Sequence, residues 1–352
     1  MNESRADVVY HPPRASEFGL GVINWCKYRV MRIVIIGAGA IGAPLAAALH
    51  EHGHPVLLVA RGANYEAIAK NGLTVATPDR VIVSRLDITN GVHSVVFRDD
   101  DVVILSTKSQ DTAGALNEIA TSVSPSLPFF CAQNGVANER VVVQRFVNTY
   151  GVCVMTPASY LVPGRVEVFT APHLGVLDVG RWPNGHDALP LEMSNVLNDC
   201  GYVSVATDDI ETLKWGKLMS NILNVLEVLC GRKAMNDVMA SWIRDEAHAC
   251  LGAQGVDVER AEAFADERGT FVSYQPIEGV KRVGSSTFQS VLRGTGNVET
   301  EYLNGEIVAL GRRYGIPTPV NELLVQRANE MAQTRRAPGS VTLEELHAAL
   351  GR

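Results

Sequence analysis

Six residues, Gly37, Ala38, Gly39, Ala40, Ile41 and Gly42, carry the spacing GxGxxG, directly after a β-branched run and at the opening of an apolar helical stretch. Alone the hexapeptide is a weak signal, because glycine and alanine cluster by chance. Between a strand and a helix it describes phosphate binding: the first glycine permits a tight turn, the second lets the backbone approach a pyrophosphate, and the third lets the helix pack on the strand. The helix N-terminus adds unpaired N–H groups and partial positive charge. The end of the following strand decides which dinucleotide is held, since an acidic residue there would bind a ribose 2′-hydroxyl and repel a 2′-phosphate. Ala60 and Arg61 stand there instead. An arginine fork suits a phosphate, so the expected cofactor is NADP(H). Lys108, just past the run Val102 to Ser106, could reach the cofactor phosphates or ribose, although a lysine after a strand is as readily just solvated.

Reducing a ketone by hydride transfer further needs a proton donor for the developing alkoxide and polar groups that orient the substrate. Lys217 and Asn221 are four residues apart on an expected helix and share a face. Asn224 follows seven residues after the lysine, about 20 degrees off its direction at 3.6 residues per turn. Periodicity alone also allows a solvent-facing strip of an amphipathic helix. Ser286 and Glu299 could equally be surface residues, and Asn134-Gly135 is a common turn.

The elements that must position these groups are legible in outline. Arg32 to Ile36, Pro55 to Ala60, Val102 to Ser106, Pro128 to Ala132 and Val152 to Thr156 read as buried strands. Helices are expected over Ile41 to Gly53, Thr112 to Ser122 and Asn138 to Tyr150, giving the alternation of parallel βαβ units. Added strands follow over Val166 to Phe169, Leu174 to Val179 and Tyr202 to Ala206, with a helix over Leu191 to Asp199. After Asp208 helical periodicity takes over: Glu211 to Leu229, Val238 to Ala253, Val298 to Tyr314 and Val320 to Ala332. Thr318 before Pro319 reads as a cap and first-turn proline, and Thr342 with Glu345 as a capping box. The expected fold class is therefore α/β: a Rossmann-like domain with a mostly parallel sheet over residues 31 to 207, then an all-α domain over 208 to 352. Residues 1 to 30 show no clear periodicity and are set aside as an extension.

With 46% hydrophobic and 20% charged residues and a net charge of -7, the 352-residue chain reads as an ordinary soluble protein. It lacks the basic stripe that nucleic acid or an anionic membrane would call for, and Arg312 and Arg313 read as a solvated helix face. Cys26, Cys131, Cys153, Cys200, Cys230 and Cys250 are scattered, as expected of buried thiols in a reducing compartment. No apolar run reaches the roughly 18 residues of a membrane span. A cytoplasmic location and no metal are expected.

Ordered along residues 31 to about 330 are the segments MRIVIIGAGAIG, Arg61 at the second strand's end, STKSQDT, QNGV, LKWGKLMSN, SSTFQSVL and VETEYLNGEIVALGRRYGIPTPVN. In order and spacing the chain resembles the ketopantoate reductase family, NADPH enzymes that reduce 2-dehydropantoate to pantoate. The resemblance implies Lys217 as general acid and Glu299 as a contact to substrate hydroxyl and nicotinamide. It also implies Asn134 at the hinge of the cleft, Asn221 on the substrate hydroxyl, Ser286 on its carboxylate, and a helical domain closing over the Rossmann domain. A homodimer stays open. Two departures touch the substrate: the family's second asparagine, eight residues after the lysine, is Val225 here, with Asn224 about 100 degrees away on a continuous helix. The stretch from Ser286 to Glu299 is also one residue longer and carries Gly294 and Gly296. Alternatives are reduction of another 2-oxo acid, opine-type dehydrogenase chemistry, or an NADP(H) sensor without turnover. The sensor would need only the Rossmann half.

Overall fold

The computed structural model describes residues 31–121, 123–294 and 298–352; the N-terminal extension and Gly296 lie outside the described residues. The first half runs β1 (Arg32–Ile36), α1 (Gly42–Glu51), β2 (Val56–Ala60), α2 (Gly62–Asn71), β3 (Leu73–Ala76), β4 (Val81–Ser84), β5 (Asp87–Asn90), β6 (Asp101–Leu105), α3 (Thr112–Glu118), β7 (Phe129–Cys131), α4 (Asn138–Val142) and β8 (Thr149–Met155). It continues with β9 (Ala158–Val162), β10 (Arg165–Val168), β11 (Val176–Arg181) and α5 (Ala188–Asp199). Seven strands form one sheet in the order β11-β8-β7-β6-β1-β2-β5, parallel throughout except where β11 pairs antiparallel with β8.

Both faces of this sheet are covered, and that is why its strands are continuously apolar. Side chains alternate across a strand, so Ile33 and Ile35 of β1 join Leu45, Leu49 and Leu58 on one side. Val34 and Ile36 join Val103, Leu105, Phe129 and Phe146 on the other. Of a second, four-stranded sheet, β4-β3-β10-β9, only β10 was expected from sequence, as Val166 to Phe169. Its strands are four or five residues long, and β4 leaves Val81 and Val83 exposed, so the apolar signal that marks a two-sided strand is missing.

The second half is helical: α6 (Ile210–Asn221), α7 (Asn224–Cys230), α8 (Met239–Gln254), α9 (Val258–Gly269), α10 (Ser286–Leu292), α11 (Asn304–Tyr314), α12 (Pro319–Gln333) and α13 (Leu343–Ala349). Trp215, Leu218, Ile222, Leu226, Ile243, Ile307, Leu324 and Leu346 form its core. Helices α6 and α9 approach so closely that a Cβ on Gly216 would lie 1.9 Å from the Ala261 carbonyl oxygen.

Several expectations need correction. The helix expected over Asn138 to Tyr150 stops at Val142, and Thr149 already opens β8. Tertiary contacts draw this stretch off the helical path: Phe146 stacks on Phe129 at 4.1 Å, and Arg145 donates to the carbonyls of Leu116, Ile119 and Ala120 at and just past the end of α3. Tyr202 to Ala206 is no regular strand; Val203 and Ala206 make isolated bridges to β11. The helix expected over Glu211 to Leu229 breaks after Asn221, and the Ile222 carbonyl at the break accepts from the buried Asn304 amide at 3.0 Å. Thr318 precedes Pro319 as expected, yet its side chain caps nothing. Glu246 of α8 accepts instead from the backbone N–H groups of Val320 and Asn321 at 2.8 and 2.9 Å. The Thr342–Glu345 capping box is present. Cys131, Cys153, Cys200, Cys230 and Cys250 are free thiols. Among the described residues no helix is long and apolar enough to cross a membrane.

Candidate active site

The carboxyl edge of the parallel sheet faces the helical half across a cleft of about 1170 Å³. That volume exceeds the roughly 300–1,000 Å³ of a single small-ligand site and leaves room for a dinucleotide beside a small substrate. Gly37, Ala38, Gly39, Ala40, Ile41, Arg61, Lys108, Asn134, Lys217, Asn221, Asn224, Ser286 and Glu299 all line it. Thus every residue singled out from the sequence reaches one space, except Gly42, which sits beneath it.

On the sheet wall the three glycines do distinct things. Gly37 turns at φ +116°, with the backbone of Ser106 and Thr107 2.8 Å from where a Cβ would be. Around Gly39 a Cβ would meet nothing within 4 Å, so the backbone is bare toward the cleft. At Gly42 a Cβ would lie 2.0 Å from the Gly37 carbonyl oxygen; only glycine lets α1 start there. Two residues not foreseen from sequence hold this loop. Ser106 Oγ donates to the Gly37 carbonyl at 2.9 Å. Asn64 donates to the Ala38 carbonyl at 2.8 Å and accepts from the Gly164 N–H at 2.8 Å. No local pattern marks them, because the contacts are far apart in sequence. Arg61 stands exposed at the end of β2, with Glu118 3.6 Å away.

This wall fits a dinucleotide. It offers a bare glycine backbone at the start of a ten-residue helix, a flanking arginine, and buried oxygens of Thr107, Gln133 and Thr156 that line the cleft without a partner. Behind it, Thr112 donates to Asn138 at 2.7 Å, Gln133 to Thr112 at 3.2 Å and Asn138 to Ser109 at 3.0 Å. This buried network ties the turn bearing Asn134 to the loop bearing Lys108.

The two walls meet through polar contacts. Asn221 at the end of α6 donates to Asn134 Oδ1 at 3.2 Å. Lys108 pairs with Glu299, which opens the 3-10 turn Glu299–Tyr302. Gly135 (φ +81°) passes so near that turn that a Cβ would lie 2.5 Å from the Tyr302 carbonyl oxygen. Deeper, Lys214 of α6 pairs with Glu139 of α4 and donates to the Gln133 carbonyl at 3.1 Å. Both side chains are almost wholly buried.

Lys217 differs from Lys108 and Lys214. Its Nζ lines the cleft and donates only to Ser220 Oγ at 3.3 Å, with no carboxylate partner among the described residues. Burial lowers its pKa below the ordinary lysine value, and the field of Cys153 opposes this only in part. The helix break resolves the expected misalignment of Asn224: α7 begins there with its own phase, so Asn224 lines the cleft while Val225 turns into the core. Ser286, in the first turn of α10, also lines the cleft.

Sequence profiles of ketopantoate reductase PanE/ApbA and of its C-terminal region match residues 33–184 and 209–332. The chain belongs to the ketopantoate reductase family, a family of oxidoreductases. It is 28% identical over 300 residues to the 2-dehydropantoate 2-reductase of Pyrococcus horikoshii, covering 84% of this chain and 95% of that one. It is 29% identical over 318 residues to the Archaeoglobus fulgidus enzyme of that name, covering 84% and 96%. Similar solved structures include a ternary complex of D-mandelate dehydrogenase with NADH and anilino(oxo)acetate (TM-score 0.73, 23% identity, covering 87% of this chain and all of that one). Another is a PanE/ApbA family ketopantoate reductase from Ralstonia eutropha JMP134 (TM-score 0.71, 24% identity, covering 87% and 100%).

Proposed function

We propose that this protein reduces a small 2-oxo acid to the 2-hydroxy acid with NADPH, and that 2-dehydropantoate is the first substrate to test. The observation that carries the reading is Lys217: a partly buried ammonium without a counter-ion among the described residues, lining the same cleft as the bare glycine loop. Names carried by the relatives support the substrate class, and Arg61 supports the phosphorylated dinucleotide.

When bound, the nicotinamide supplies the hydride. Gly37 to Ile41 would receive the diphosphate, Arg61 the 2′-phosphate, Lys108 the phosphates or ribose, and Glu299 the nicotinamide and the substrate hydroxyl. Lys217 delivers its proton to the keto oxygen as negative charge develops there, so that 2-oxo acid, NADPH and one proton give 2-hydroxy acid and NADP⁺. Burial favours the neutral amine that remains, which makes the lysine a better acid. Asn221, held by Asn134, and Asn224 orient the substrate's polar groups, and Ser286 faces its carboxylate. Two halves, a Rossmann domain over 31–207 and a helical domain over 208–352, divide this work in a cytoplasmic protein; dimerisation would use the helical half.

The proton must be on Lys217 before reaction, so reduction slows as pH rises through its pKa. Because that pKa is lowered, the falling limb should lie below the ordinary lysine value of about 10.4. NADPH consumption with 2-dehydropantoate, beside a panel of other 2-oxo acids and with NADH in parallel, tests the rest. Fast turnover with 2-dehydropantoate and a clear preference for NADPH are expected. Turnover confined to another acid moves the substrate, and consumption needing an added amino acid points to opine-type chemistry. Tight NADPH binding with no turnover of any acid replaces the reductase by a sensor.

A further inference from the structure

Arg293 is a half-buried cation in this cleft that the reductase scheme above leaves unused. It follows the last residue of α10, and Ser286, Gln289, Ser290 and Arg293 recur at three- and four-residue spacing along the face that lines the cleft. Its Nη1 donates to the Tyr160 carbonyl at 2.9 Å and its Nη2 to Ser290 Oγ at 3.2 Å, with the guanidinium 5.8 Å from the Tyr160 ring centroid. Among the described residues two of its five N–H donors are thus engaged, both by neutral oxygens.

The rest of the molecule treats such arginines differently. Of the seven other arginines buried or half-buried among the described residues, Arg32, Arg140, Arg165, Arg181, Arg268 and Arg327 each face a carboxylate. Arg145 alone joins Arg293 in lacking one, and three carbonyls at the end of α3 occupy it. Arg293 has no ion pair among the described residues; its nearest acidic influence, Glu299, is already held by Lys108. Burial accordingly pulls its pKa down, the mark of a charge without full compensation.

A guanidinium taken from water without a counter-ion is costly, and the cost is removed when a ligand brings the anion. We infer that Arg293 is an oxyanion-binding residue of the cleft's helical wall, closing its free N–H groups on a carboxylate or diphosphate oxygen of the bound ligands. The planar fork fits either. The identity of those ligands rests on the reductase reading. The two sources are the carboxylate of the 2-oxo acid and the diphosphate of the dinucleotide.

Two variants test this. Arg293→Gln keeps an N–H donor for the Tyr160 carbonyl and loses the charge; Arg293→Lys keeps the charge and loses the fork. NADPH affinity is measured by fluorescence titration of the free protein, and oxamate, an unreactive mimic of a 2-oxo acid, is titrated into the NADPH complex. Thermal melts of all three proteins run alongside. For Arg293→Gln an affinity loss of about tenfold or more is expected, with a smaller loss for Arg293→Lys. A loss confined to oxamate assigns the carboxylate; a loss on NADPH assigns the diphosphate. Unchanged affinities in Arg293→Gln, or Arg293→Lys binding no better than Arg293→Gln, overturn the inference and leave Arg293 a structural tie between α10 and β9. Wild type that binds NADPH and reduces no 2-oxo acid defeats the reductase reading alone. Wild type that binds neither probe defeats both.

Discussion

The two walls of the cleft are built on opposite principles. The sheet wall presents backbone: its candidate positions, Gly37, Gly39 and Gly42, lie within six residues, a Cβ would clash at Gly37 and Gly42, and at Gly39 the backbone is bare toward the cleft. The helical wall works with side chains: Lys217, Asn221 and Asn224 come from two helices, Ser286 from a third and Glu299 from a 3-10 turn, brought together only by packing. A backbone site tolerates sequence change wherever a side chain does not intrude. A side-chain site depends on every contact that fixes its supporting helices, so under the proposed function substrate choice can drift on this wall while the dinucleotide site stays put.

The buried pair between Lys214 and Glu139 offers the strongest way to break that arrangement, because it ties α6 to the sheet half three residues before Lys217. Glu139→Gln, which strands a buried ammonium, should lower stability by about 3–5 kcal/mol, while the double variant Lys214→Met with Glu139→Leu should recover most of it. Denaturant melts of the three proteins check this, and full loss in the double variant would contradict it. Gly216→Ala should cost about 1–3 kcal/mol and lower kcat, since its Cβ would push α6 off the Ala261 carbonyl. Arg61→Ala should leave stability and kcat alone and raise the KM for NADPH about tenfold, narrowing its advantage over NADH. Equal use of the two dinucleotides by the wild type would remove Arg61 from the cofactor site.

Legibility in the sequence follows the same division. The glycine loop and the buried strands could be read because their patterns are local: two-sided burial makes β1, β2 and β6 apolar throughout, and the loop's constraints span six residues. The break between α6 and α7 could not be read, since what satisfies it is the amide of Asn304, some 80 residues on. With the break unseen, Asn224 seemed misdirected; its place in the cleft follows from the new phase of α7. The cap of α12 was misread for a similar reason: Thr318 has the right type, but Glu246 arrives from another helix. Arg293 and the loop clamp Asn64 gave no signal of their own, since their meaning lies in what they touch.

The measurement that bears most directly on the division of labour is made on Lys217→Ala and Gly39→Val side by side, recording NADPH affinity and kcat for each. Lys217→Ala should bind NADPH as the wild type does while kcat falls by about 10²–10⁴, and Gly39→Val should melt like the wild type while losing NADPH affinity. A Lys217→Ala enzyme that keeps its kcat, or one that loses cofactor affinity in step with turnover, would contradict the account.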